Sequence, residues 1–302
     1  MNIYMVSFEN DLSYLCYKYD EVVIDNQCDN HYDVKKYFEY TIYKKHHNKQ
    51  KVFALSLFNK NVDQQINEGL PLQDNINFDT KYKNNLFKLI PLINKTGYGI
   101  NLFCEDRYKD LINDKNVNVY SFKHSYAAVG AFWRFLSVDF VEESIISDID
   151  IDIHGIYHHK KLIKINSSCR FLNSNTNDFY VDPNKTAKKY SPILAGILKL
   201  LNKDFDFSMK DAIINFLNYQ KNTKNLLNEK QSIYNKSIGL HLYGFGNSWL
   251  NYGSDERFLA KVIYFYLVKK GKLTTLYKNH NNIENIEDIN YCLKYKNKIF
   301  SM

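Results

Sequence analysis

Ser144-Ile145-Ile146-Ser147-Asp148-Ile149-Asp150-Ile151-Asp152-Ile153 is the stretch on which the fold reading turns. Its first half is a short apolar run of strand type; its second half sets an acid at every other position. On an extended backbone successive side chains point to opposite faces, so Asp148, Asp150 and Asp152 would share one face and the three isoleucines the other. Carboxylates spaced roughly 6.5–7 Å apart along a strand repel one another, and a bound divalent cation relieves that repulsion. All-oxygen ligation selects a hard ion, Mn²⁺ or Mg²⁺. An EF-hand loop also opens with D-x-D-x-D, but it needs Gly at its sixth position and Glu at its twelfth, where this chain has Ile153 and His159.

Outward from this stretch, strand-type and helix-type segments alternate. Val52 to Phe58 is a near-continuous apolar run, the pattern of a parallel strand buried on both faces. Tyr82, Leu86, Leu89, Ile90 and Ile93 fall at helical spacing, with Gly97 as the C-cap of that helix. Tyr98 to Phe103 and Val117 to Phe122 predict strands, with a short helix from Glu105 to Ile112 between them. A strongly apolar helix is expected from Ala127 to Val138, leading to the strand at Ser144 to Asp148. A further helix starts at Asp255, N-capped by Ser254, and reaches about Lys269. The last strand is expected at Leu273 to Leu276. This alternation predicts an α/β fold with a doubly wound, mostly parallel sheet flanked by helices. Ligands bind such sheets beyond the carboxyl ends of their strands, which is where the acids stand. Residues 1–50 contain neither Gly nor Pro and read as an N-terminal extension, with β-type runs such as Glu21-Val22-Val23-Ile24 and a solvated loop at His46-His47. Residues 51–302 form the main domain.

Forty basic residues against 33 acidic ones give a net charge of +7, but only Arg107, Arg134, Arg170 and Arg257 are arginines. Arginine forks read phosphates and base edges, and no Lys/Arg-rich block is present, so no nucleic-acid partner is expected. The five cysteines are odd in number and none has C-x-x-C spacing, which excludes a zinc knuckle or a thioredoxin-type site and fits reduced thiols. Met1-Asn2-Ile3-Tyr4 lacks the basic and apolar regions of a signal peptide, and apolar runs stay well short of the ~20 residues of a spanning helix. A cytoplasmic protein with no membrane span is therefore expected. Neither G-x-G-x-x-G nor a P-loop is present, and G-x-S-x-G is missing too, so dehydrogenase, P-loop and α/β-hydrolase readings lose their chief support.

Four elements, taken in order, carry a family resemblance. They are Phe132-Trp133-Arg134-Phe135-Leu136, then Ile145-Ile146-Ser147-Asp148-Ile149-Asp150, then Ser191-Pro192-Ile193-Leu194-Ala195-Gly196-Ile197-Leu198, then Tyr252-Gly253-Ser254-Asp255-Glu256-Arg257-Phe258-Leu259. Over about residues 51–280 the chain resembles GT-A-fold glycosyltransferases, and is most similar to family-8-like enzymes. Those enzymes have an aromatic-Arg-aliphatic helix before the D-x-D strand, a small-residue strand under the acceptor site, and a D-Q-x-x-L helix start. Glu256 stands where glutamine is usual.

The resemblance implies a GT-A-like domain moving a sugar from a nucleotide-diphosphosugar, UDP-linked in preference to GDP-linked, to a glycan, lipid or protein acceptor. It leans towards retention of configuration. Asp148 would contact ribose and assist the metal, and Asp150 would ligate it; Asp152 is a third candidate from spacing alone. Arg134, polar within an apolar helix, either pairs with an aspartate near the site or reaches the diphosphate. Asp255 would face the sugar or acceptor near the reacting carbon. Gly196 would let the backbone approach the sugar, and Ser56 joins the donor-binding set. In the family a histidine in an H-x-x-G-x-x-K-P-W stretch completes the metal shell. That stretch is missing here, so His280 is the best positional candidate and His241 the alternative. His154, His158 and His159 raise a mixed His/Asp hydrolytic site, weakened because neighbours in a strand face opposite sides. Two rivals stand beside transfer of a sugar: metal-dependent nucleotidyl or phosphoryl transfer on the same acids, and an inactive sugar- or protein-binding version of the fold.

Overall fold

The computed structural model describes residues 32–58, 75–126, 129–151, 159–173, 195–218, 254–264, 266–267, 270–279 and 282–287. Among the described residues nine strands form one sheet: β1 Tyr40–Lys44, β2 Lys51–Leu57, β3 Gly99–Glu105, β4 Val117–Phe122, β5 Glu143–Ser147, β6 Ser168–Asn173, β7 Ile197–Leu201, β8 Leu273–Asn279 and β9 Asn282–Glu287. Their order across the sheet is β1-β4-β3-β2-β5-β7-β6-β8-β9. The block β4-β3-β2-β5 is parallel, as is the pair β6-β8, while β1, β7 and β9 run the other way. This is an α/β protein with a mixed, mostly parallel sheet, as the alternation of segments predicts.

Strands buried on both faces account for the near-continuous apolar runs. Along β2, Phe53, Leu55 and Leu57 enter one core cluster, together with Leu86, Ile90, Ile100, Leu102 and Ile145. Ala54 enters the other, with Phe103, Trp133, Phe135, Ile146, Leu198, Phe216 and Phe258. The helix Asn75–Asn94 covers the first face and ends in a turn whose Gly97 sits at φ +84°, a conformation open to glycine at little cost.

Residues read as an N-terminal extension are partly built into this domain. Helix α1 (Tyr32–Lys35) and a 3₁₀ turn at Lys36–Phe38 lead into β1, and the Trp133 indole N–H donates to the Tyr37 carbonyl at 2.9 Å. Trp133 itself stacks on Phe122 with ring centroids 4.1 Å apart. Of the pair expected in a solvated loop, His46 is exposed but His47 is half-buried. Its Nε2 lies 3.2 Å from the Ile100 carbonyl, its backbone N–H donates to Asn118, and its ring fills the space beside Gly99. Edge-strand pairing brings Asn118 and Ile100 to it, and a local reading of the sequence does not see those partners.

Helix detail departs from expectation in three places. Among its described residues, the helix expected at 127–138 is α-helical at Val129–Phe132 and continues as a 3₁₀ helix, Trp133–Asp139. At the junction the Arg134 backbone N–H donates to the Ser56 hydroxyl at 3.0 Å. The helix at 105–112 shrinks to one 3₁₀ turn, Asp106–Tyr108. The helix from Asp255 is α-helical over Ser254–Phe258 and then a π-helix over Leu259–Tyr264.

Candidate active site

Strand order reverses beside β2. The chain runs β2, β3, β4 outward to one side, then returns to lay β5 on β2's other flank. Such a reversal opens a crevice at the carboxyl ends of the two adjacent parallel strands, the usual ligand position in open α/β sheets. Ala54 pairs with Ile146, so two residues further on Ser56 stands level with Asp148.

The acids do not continue β5 as an extended strand. The last ladder pair is Ser147 with Ile197, after which nothing holds the chain extended, and residues 149–150 form a turn. The expectation of three carboxylates on one strand face is therefore corrected. What survives is the polarity split: Ile149 is buried in the core, while Asp148 is half-exposed and Asp150 exposed. Asp152 lies outside the described residues, as do His280, His241, His154 and His158. The expected small-residue strand is also shorter. Residues 191–194 lie outside the described residues, Ala195 and Gly196 form a turn, and β7 begins at Ile197, antiparallel to β5.

Arg134 is the hub. It is buried, and its guanidinium forms ion pairs with Asp148 and, at 2.8 Å, with Asp255, while also donating to the Ser147 carbonyl at 3.2 Å. Of the two readings offered for it, pairing with aspartates is the one the structure supports. Burial alone would lower its pKa. The Asp148 and Asp255 charges and their hydrogen bonds outweigh that, so its pKa is raised and it stays a cation. Its Nε is buried with no hydrogen-bond partner among the described residues. Through Arg134, the D-x-D turn after β5 is joined to the start of the helix at Ser254, although Arg134 and Asp255 are 121 residues apart in the chain.

Gly196 closes the other side. A Cβ added there would meet the Asp148 carboxylate oxygen Oδ2, so any larger residue at 196 would make that carboxylate move. The reason given from resemblance, a close approach to the sugar, differs: here the group that approaches is Asp148. Gly196→Ala is expected to push Asp148 out of place and, if Asp148 assists a metal as the resemblance implies, to weaken Mn²⁺ binding about ten-fold. Titration of the purified variant with Mn²⁺ checks this, and unchanged affinity would show that the contact does not hold Asp148.

Asp150 carries the electrostatic strain. Desolvation by the atoms packed round its carboxyl, and then the Asp148 charge, raise its pKa above the ordinary carboxylate value, opposed by Lys81 and by the Tyr82 hydroxyl. Tyr82 donates to Asp150 Oδ2 at 3.4 Å, a contact the sequence did not point to. An anion destabilised in this way, next to a second carboxylate, fits a hard divalent cation. Among the described residues no cluster of three or more His, Cys, Asp or Glu side chains is placed to hold a metal. Of the four expected ligands, Asp148 and Asp150 lie side by side among the described residues, and Asp152 and His280 lie outside them.

Six residues singled out from sequence (Ser56, Arg134, Asp148, Asp150, Gly196 and Asp255) stand in one cluster at the carboxyl ends of β2 and β5. No protein-family model, curated protein or solved structure matches this chain. The likeness to GT-A enzymes therefore rests on the residues alone. Among the described residues, no helix is long and apolar enough to cross a membrane.

Proposed function

We propose that this protein is a metal-dependent glycosyltransferase of GT-A-like fold, taking its sugar from a nucleotide-diphosphosugar. The observation that carries the reading is the Arg134 bridge, which brings a D-x-D turn and the Asp255 helix start to the crevice beside β2 and β5. A site for this reaction needs cation-holding acids at one end and a polar group near the sugar at the other. One set of ion pairs joins the D-x-D turn to Asp255, which supports giving them these two parts.

Asp150, assisted by Asp148, would hold Mn²⁺ or Mg²⁺. When bound, the ion neutralises charge growing on the leaving diphosphate. Asp148 serves as a bridge as much as a ligand, because one of its oxygens is engaged by Arg134 and the other rests on Gly196. Arg134 is spoken for by two aspartates, so its role is to fix them in place. Asp255 gives Oδ2 to Arg134 and is oriented by it, which leaves Oδ1 for a sugar or acceptor hydroxyl. The donor is a UDP-sugar in preference to a GDP-sugar, and the acceptor is a glycan, lipid or protein hydroxyl.

A thermal-shift screen with UDP, GDP, CMP and ADP, each with and without Mn²⁺, tests the reading on wild type and on Asp150→Asn. The expected result is a rise with one nucleotide that needs both the metal and Asp150, followed by release of the nucleoside diphosphate in a turnover assay. Pyrophosphate release instead would make the enzyme a nucleotidyltransferase. No shift with any nucleotide, in folded protein, would leave a binding protein without a donor site.

A further inference from the structure

His159 lies in the helical segment 159–163 and is completely buried. Its ring packs against Phe53 of β2, with centroids 5.5 Å apart. Its Nε2 lies 3.2 Å from the Gly196 carbonyl. A carbonyl only accepts, so that ring nitrogen carries the proton and donates. Gly196 is in turn the residue whose missing Cβ leaves room for Asp148 Oδ2. Side chain, turn and carboxylate therefore form one physical chain, from the middle of β2 to the acid after β5.

Burying an imidazole in apolar surroundings costs free energy unless its polar atoms are paired. A leucine would fill the same space without that cost, so packing by itself does not account for a histidine. The hydrogen bond does something packing would not: it fixes the height of the Ala195-Gly196 turn. A shift of that turn by a few tenths of an ångström moves the surface against which Asp148 rests. We infer that His159 is a positioning residue of the donor site, which sets the Asp148 carboxylate through the Gly196 carbonyl. The inference rests on the reading of Asp148 and Asp150 as metal-holding acids. It also gives this histidine a role different from the metal ligand that its place shortly after the acids invites.

Two substitutions of similar polarity separate this role from plain packing. In His159→Gln the amide nitrogen reaches about as far as Nε2, whereas in His159→Asn it reaches only about as far as Nδ1. Mn²⁺ affinity is measured by titration on full-length wild type, both variants and Asp150→Asn, with melting curves beside each. The expected result is an affinity about ten-fold weaker in His159→Asn and within about three-fold of wild type in His159→Gln, at similar melting temperatures. Equal affinities in the two variants would overturn the inference, whether both were normal or both weak. Asp150→Asn reports on the underlying reading separately: if it binds Mn²⁺ as wild type does, the acids are not a metal site and the inference falls with that reading.

Discussion

Asp150→Asn is expected to lower sugar transfer by at least about 10²–10³-fold, the scale seen when a single preorganised electrostatic group is removed from an active site. The amide keeps the shape and loses the charge that would hold the cation. Stability should move the other way or not at all. Asp150 is an anion held against desolvation and against the neighbouring Asp148 charge, so removing its charge relieves that repulsion. In metal-free buffer the variant should melt no lower than wild type, while losing the nucleotide- and Mn²⁺-dependent rise. This split between activity and stability is what a functional acid produces. A variant that transfers sugar normally, or that melts well below wild type without metal, would show that Asp150 is a structural residue.

Arg134→Met should be the most destabilising single change at the site. It removes the shared partner of Asp148 and Asp255, and leaves two carboxylates facing a buried methionine. Breaking a buried pair by deleting one member costs about 3–5 kcal/mol. Asp148 is half-exposed and can recover some hydration, so the lower end applies, about 3 kcal/mol and a melting temperature lower by about 5 °C. Arg134→Lys should not rescue it, because a single ammonium cannot span both carboxylates as the planar fork does. The cycle with Asp255→Asn decides the cause. If the ion pair carries the loss, the double variant will be more stable than the sum of the two single changes allows, by more than about 1 kcal/mol. Additive losses would mean that the pair with Asp255 carries none of the loss. In Asp255→Asn, which leaves the Arg134–Asp148 pair in place, turnover should fall more than Mn²⁺ affinity, whereas Arg134→Met, which also frees Asp148, should weaken both.

Much of the sheet was legible in the sequence because burial on both faces writes itself as an uninterrupted apolar run. Val52 to Phe58 became β2, Tyr98 to Phe103 became β3 and Val117 to Phe122 became β4, each within a residue or two. The candidate site was legible for a related reason. Acids directly after an apolar strand, and an arginine inside an apolar helix, are locally costly arrangements, and they stand out against the pattern around them. Helix type was not legible. Residues 133–139 wind as 3₁₀, and the Arg134 N–H at their start has its acceptor on Ser56, 78 residues away, which no local pattern shows. The extended D-x-D-x-D was misread because alternation alone implies a strand, while a strand also needs a neighbour to pair with.

The sequence by itself determined the α/β class, the position of the acids at a strand's carboxyl end, and the types of residue from which the site is built. Only the tertiary structure decided that β5 returns to lie beside β2, that β7 inserts antiparallel between β5 and β6, and that β1 from the first fifty residues seals an edge. It alone decided that Arg134 faces both Asp148 and Asp255, and that His159 and Gly196 stand behind Asp148. The division has one physical cause. Periodicity and burial are properties of neighbouring residues and are written locally. Strand order, ion-pair partners and the room left by a missing Cβ depend on which distant segments pack together, and no local pattern carries that information.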